Sequence, residues 1–226
     1  MKDKVLVVAA HPDDEVLGCG GTVARLTNDG CEVYTLILGT GIAARYGQAD
    51  SQNIKSEIEK LKKRAHAANE IIGVKEVFLH NFPDNRFDTV ALLDLVKVIE
   101  QVKDSIKPDI VFTHCAGDLN IDHQITYKAV LTATRPLPAE TVREIYSFEV
   151  LSSTEWNYPL SFAPDTFFNI SETMDLKQKA LKCYKSEIRE FPHPRSLQAV
   201  ESSAKAWGIK VGLKYVEAFK SVRITK

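Results

Sequence analysis

Near the start of the chain, Ala10-His11-Pro12-Asp13-Asp14-Glu15 places four ionisable side chains in five positions directly after an apolar run. Carboxylates held this close repel one another, and a divalent cation is the commonest way to turn that repulsion into binding. Imidazole with carboxylate suits zinc, or another divalent transition ion, better than magnesium, which prefers an all-oxygen shell. The spacing of His11 and Asp14 lets a turn entering a helix aim both at one point, as metal ligands. Asp13 then points elsewhere and is left to take a proton from an attacking water, a role a ligand carboxylate performs poorly. A competing use is structural: Asp13 or Asp14 as a helix cap, with Glu15 complementing the helix dipole. That use needs one acidic residue and gives His11 no task.

A catalytic zinc takes three protein ligands and keeps a position open, so a third donor is required. The best source is Thr113-His114-Cys115-Ala116-Gly117-Asp118-Leu119-Asn120-Ile121-Asp122-His123, which leaves a second apolar run and enters a helical pattern. His123 is the expected third ligand, with Asp122 as an orienting neighbour. His114, nearer the strand, reads as a core or supporting histidine. The glycines Gly18, Gly20 and Gly21 invite a dinucleotide reading, but they lie well past the strand, and Asp13 and Asp14 stand where pyrophosphate would sit. Close helix–sheet packing is their better use.

The elements that must position these groups alternate. Short β-branched runs over 4–10, 31–38, 76–81, 109–114 and 144–150 are separated by helical periodicity over 15–28, 54–72, 89–106 and 122–134. This pattern predicts βαβ units and a Rossmann-like, doubly wound, mostly parallel α/β sheet with helices on both faces. In such a sheet strands one and four are neighbours at the switch point, so the two polar clusters converge beyond the strands' carboxyl ends. After residue 150 the pattern changes. Residues 151–165, with Trp156, Tyr158, Pro159 and Pro164, read as a long surface excursion. A strand over 166–170, a helix starting at Ser171 with Met174 as its third residue, a turn over 191–194, a helix over 196–207 and a last strand over 215–224 follow.

At 226 residues a single domain is expected, with 1–150 as the α/β core and 151–226 as an extension shaping the substrate site. A composition of 44% hydrophobic and 26% charged residues excludes neither catalysis nor binding, but it does exclude disorder and fibrous repeats. The net charge of −1 gives no electrostatic reason to expect nucleic acid or an anionic membrane as partner. Apolar runs are too short to span a membrane, no secretory signal is read at the N-terminus, and a cytoplasmic location is the expectation. Cys19, Cys31, Cys115 and Cys183 form no CxxC pair and read as buried free thiols. A homo-oligomer is left open.

Ala10-His11-Pro12-Asp13-Asp14-Glu15 with a downstream Asp122-His123 resembles the PIG-L/LmbE-like N-deacetylase family. The resemblance extends to the glycines after the hexapeptide, to Gly39-Thr40-Gly41, to Asn81-Phe82-Pro83-Asp84 and to the stretch 118–123. It implies zinc on His11, Asp14 and His123, Asp13 as the base, and an N-acetylglucosamine derivative as the small-molecule substrate. Many family members carry a His at the place of Asn120, where it stabilises the oxyanion or protonates the amine. Asn120 donates a hydrogen bond but cannot shuttle a proton. His193, held between Pro192 and Pro194, is the expected substitute acid, with Arg195 beside it for a sugar or phosphate oxygen. Arg45 and Asp84, in loops on the same side, are expected to contact sugar hydroxyls. The same ligands also suit a phosphoesterase-like metallohydrolase, and a nucleotide- or sugar-binding domain without catalysis is the remaining alternative.

Overall fold

Successive residues of a strand face opposite sides of its sheet, and in the first strand both sides are apolar. Val5, Val7 and Ala9 enter one core while Leu6, Val8 and Ala10 enter another. A strand buried on both faces belongs inside a parallel sheet covered by helices, and the computed structural model shows that arrangement. It describes residues 2–41 and 51–226, with the side chains of all of these except 51–55. The elements are β1 (Lys4–Ala9), α1 (Asp14–Asn28), β2 (Glu32–Gly39), α2 (Ser51–Ile71), β3 (Glu76–Phe82), α3 (Leu92–Ile106) and β4 (Ile110–His114). They continue with α4 (Ile121–Ala133), β5 (Glu144–Phe148), β6 (Thr166–Asn169), α5 (Met174–Leu181), α6 (Leu197–Val211) and β7 (Val216–Ile224).

The sheet order is β3-β2-β1-β4-β5-β7-β6. Strands β1 to β5 pair in parallel, and β7 runs antiparallel between β5 and β6. Helices α1, α2, α5 and α6 pack into the core on one face, α3 and α4 into the core on the other. The doubly wound, mostly parallel α/β fold is therefore present, and the switch point falls between β1 and β4. Their register, Val8 opposite Thr113, brings the loops after both strands to the same edge.

Helix α1 is broken at Cys19 (φ −145°, ψ 18°). A side chain at Gly18 would overlap the Phe148 ring and one at Gly21 would press on Ile170, so close helix–sheet contact is what these glycines permit. The break orphans the Leu17 carbonyl and the Gly21 N–H, which a continuous helix would join. Lys177 Nζ donates to Leu17 O at 2.7 Å and to Glu217 Oε1 at 2.5 Å, and the Glu217 carboxylate accepts from Gly21 N at 3.0 Å and Thr22 N at 2.7 Å.

The boundaries differ from expectation where side chains outvoted periodicity. α3 starts at Leu92 after a 3-10 turn over Phe87–Thr89. α5 starts at Met174, because Ser171 N and Oγ both donate to Asn169 Oδ1 and fix a turn instead of a cap. α6 begins as expected, with Ser196 Oγ accepting from Ala199 N at 3.0 Å, but runs on to Val211 and ends at Gly212 in the left-handed region (φ 73°). The excursion after β5 is only partly on the surface: Ser153 and Thr154 are buried. All four cysteines are free, Cys19 and Cys115 buried, Cys31 and Cys183 partly so. Among the described residues no helix is long and apolar enough to cross a membrane.

Candidate metal and catalytic site

The turn from β1 into α1 and the loop from β4 into α4 meet as the topology requires. Asp14 Oδ2 lies 3.4 Å from His11 Nδ1 and 3.2 Å from His123 Nε2. His11, Asp14 and His123 are all buried, and each offers a ligand atom within 4.8 Å of the others. Both imidazoles are backed by carboxylates on their far nitrogens. His11 Nε2 is 2.9 Å from Asp122 Oδ2 and 3.1 Å from Asp84 Oδ1, while His123 Nδ1 is 3.1 Å from Asp118 Oδ1. A neutral imidazole whose N–H is drawn to the carboxylate behind it presents a lone pair at its other nitrogen. Two lone pairs and a carboxylate oxygen then face one another, and such a set demands a cation. In the metal-free protein protons fill that role. Burial works against charge on His11, yet Asp122, Asp14 and Asp84 lift it to about 10. Burial likewise opposes charge on His123, and Asp14 and Asp118 lift it to about 9. Burial would raise Asp14, but His123 and His11 hold it well below the usual carboxylate range.

A second group, His11, Asp84 and Asp122, also has ligand spacing. Asp122 is already engaged, however: Oδ2 accepts from Asn85 N at 2.6 Å and Oδ1 from Phe87 N at 2.9 Å. It holds the His11 ring and not that of its neighbour His123, which its position suggested it would orient; Asp118 stands behind His123 instead. His114 is a core histidine. Its Nε2 accepts from Ala10 N at 2.8 Å, its ring stacks on His123 with centroids 4.0 Å apart, and burial pushes its pKa down to about 3.

Asp13 stands directly before α1 in the left-handed region (φ 104°, ψ −26°), which non-glycine residues rarely adopt. From that turn its side chain reaches Arg195. Oδ2 accepts from Arg195 Nη1 at 3.1 Å, and Arg195 Nε donates to Ser152 Oγ at 2.7 Å. Burial raises the Asp13 pKa well above the usual value, and the Arg195 guanidinium opposes that rise.

A cleft of about 90 Å³ is lined by His11, Asp13, Asp14, Asp84, Asn120 and Arg195, among others; His123 is not among its lining residues. At ~30 Å³ per water in the liquid, this is room for about three water-sized groups. Asn120 caps α4, its Oδ1 accepting from Asp122 N at 2.8 Å, and its Nδ2 donates to Asn85 Oδ1 at 3.1 Å. His193 is not among the lining residues: its Nδ1 accepts from Arg195 N at 3.1 Å and its ring meets Trp156 edge-on at 5.9 Å. Arg45 lies outside the described residues.

Three supporting residues escaped sequence reasoning. Asp118, behind His123, is held by Ser153 and Thr154 hydroxyls from the segment after β5. Burial would raise its pKa, but His123 and the two hydroxyls keep it low. Glu187 lies 3.7 Å from Arg195 Nη1 across the cleft. Tyr184 donates to buried Glu15 at 2.5 Å. The position of Asp118 ahead of the helix-entry residues was a usable signal; Glu187 and Tyr184 carried none.

Comparison with known proteins adds the following. The family profile PIG-L, described as GlcNAc-PI de-N-acetylase, matches residues 6–134. The uncharacterized deacetylase YaiS of Escherichia coli is 30% identical, over 80% of this chain and 90% of that protein. A probable N-acetyl-alpha-D-glucosaminyl L-malate deacetylase 2 of Bacillus cereus is 29% identical, over 83% of this chain and 84% of its own. A 4-oxalmesaconate hydratase of Pseudomonas putida is 26% identical, over 98% of this chain and 90% of its own. Among solved structures, the conserved protein TT1542 of Thermus thermophilus superimposes with a TM-score of 0.79 at 26% identity, covering 100% of this chain and 97% of that one.

Proposed function

The chain belongs to the PIG-L family of GlcNAc-PI de-N-acetylases, and from that premise we propose that it is a zinc-dependent hydrolase removing the N-acetyl group from an N-acetylglucosamine-type sugar or sugar conjugate. The observation that carries this reading is the buried acceptor set of His11, Asp14 and His123, of which His11 and Asp14 line one cleft with the Asp13 carboxylate. Bound there, a divalent ion supplies Lewis-acid activation of water and of the acyl carbonyl. The two-imidazole, one-carboxylate donor set favours zinc over a hard ion.

The chain's own residues do the rest. Arg195 holds Asp13 Oδ2, which leaves Oδ1 to accept the proton of the attacking water. The water oxygen bonds to the acyl carbon, and the C–N bond then breaks. The high pKa that burial gives Asp13 suits it both to take this proton and to pass it to the departing nitrogen, so acetate and a free amine leave. This assignment removes the need for a separate histidine acid at the place of Asn120. Asn120 Nδ2 is assigned to donate to the oxyanion. His193 holds the loop that carries Arg195, and Arg195 serves Asp13 before any sugar oxygen. Asp84 and Arg45 are assigned to sugar hydroxyls, and residues 151–226 to the wall that selects the rest of the substrate.

The test is a mass-spectrometric screen of the zinc-loaded protein against N-acetylated sugars, sugar nucleotides and glycoconjugates, with phosphate esters and unsaturated carboxylic acids as controls. Loss of an acetyl mass with release of acetate is expected. Phosphate release, or hydration of a double bond with no acetate, would overturn the reading.

A further inference from the structure

Asp13 holds a backbone conformation that favours glycine, and something must compel it. Glu15 does not act as an ordinary acidic residue of a first helical turn. Its side chain folds back beneath the turn, and Oε2 accepts from the Asp13 backbone N–H at 3.0 Å. Its other oxygen, Oε1, accepts from Tyr184 Oη at 2.5 Å and from Asn69 Nδ2 at 2.9 Å. Asn69 is fixed in turn, Oδ1 accepting from Thr35 Oγ1 at 2.9 Å. Glu15, Asn69 and Tyr184 are each no more than 1% exposed, so no solvent competes for these bonds.

We propose that Glu15 is a positioning residue: a buried carboxylate, braced by Tyr184 from the segment after α5 and Asn69 from α2, that locks the Asp13 main chain in its left-handed turn and so aims the Asp13 side chain at the cleft. The inference rests on Asp13 being the base. All three donors that meet Glu15 are N–H or O–H groups, so only an acceptor on both oxygens satisfies them. A carboxamide fails, because its NH2 would confront a donor. Arg195 grips the side chain of Asp13 from the opposite wall, so the carboxylate is fixed at both its root and its tip.

The experiment compares zinc-loaded wild type, Glu15→Gln and Tyr184→Phe by bound zinc, kcat and KM on the conjugate that wild type turns over in the screen above, and by crystal structure at Asp13. Glu15→Gln is expected to keep its zinc and its KM while kcat falls on the order of 100-fold, with Asp13 φ leaving the left-handed region. Tyr184→Phe should move both readouts in the same direction and less. Unchanged kcat with unchanged Asp13 φ, or zinc lost in step with activity, would overturn the proposal. Should wild type release no acetate from any conjugate, the deacetylase reading fails on its own, and Asp13 φ in the variant structures still decides the positioning role. Should Glu15→Gln not fold, Tyr184→Phe, which leaves the carboxylate in place, carries both readouts.

Discussion

Two of the carboxylate centres buried along α1 are neutralised in different ways. At the kink, Glu217 meets a lysine and two backbone N–H groups, all supplied by the chain. At the N-terminus, Asp14 meets two imidazoles that carboxylates back from behind, and among the described residues no lysine or arginine pairs with it. The first centre is electrically closed and repairs a broken helix. The second requires a cation from outside and opens on a cleft. A buried carboxylate is thus no sign of function in itself; what neutralises it is.

Removing the external cation should separate the two centres most sharply. Chelation is expected to abolish turnover, and zinc to restore it, while the helix content measured by circular dichroism holds; loss of helix on chelation would make the first centre depend on the second. His11→Ala and His123→Ala should purify without zinc and without activity, by metal analysis of each variant.

Next in size, Asp13→Ala should retain zinc while kcat falls about 10²- to 10⁴-fold, the usual contribution of general acid–base catalysis. An active Asp13→Ala enzyme would remove the base assignment. Lys177→Met probes the closed centre. Stranding Glu217 should cost about 3–5 kcal/mol in denaturant unfolding, with kcat per folded molecule unchanged. Equal stability would mean that the lysine does not neutralise Glu217.

The last effect is in pH. His11 and His123 have pKa values raised to about 10 and about 9 in the metal-free protein, against about 6.5 unfolded. A raised pKa stabilises fully below the unfolded value and is lost as pH climbs through the folded one. The metal-free melting temperature should therefore fall between about pH 7 and about pH 10, and that of the zinc form should fall less. Zinc binding near neutral pH should release on the order of two protons, read by calorimetry in buffers of different ionisation enthalpy. No proton release would contradict the protonated imidazoles.

What is legible in the sequence follows from distance along the chain. His11, Asp13 and Asp14 sit within one turn, and His123 follows a strand whose place beside β1 the βαβ rule fixes, so their convergence can be read from spacing and topology. The braces are not readable in this way: Asp122 precedes His123 yet holds His11, and His123 is held by Asp118. The prolines near Arg195 mark its loop, but nothing local names its partner. Its contact with Asp13 spans 182 positions and that of Tyr184 with Glu15 spans 169. No local period encodes such contacts; they exist because β7 and β6 fold the C-terminal third back onto the sheet edge. The start of α5 is hidden for a smaller reason, an Asn169 side chain that outcompetes the helix for Ser171.

The central claim is most directly tested by anomalous diffraction at the zinc edge from zinc-soaked crystals. The account predicts one strong peak about 2.0–2.3 Å from His11 Nδ1, Asp14 Oδ2 and His123 Nε2. A peak held instead by His11, Asp84 and Asp122, out of reach of Asp14 and His123, would contradict it.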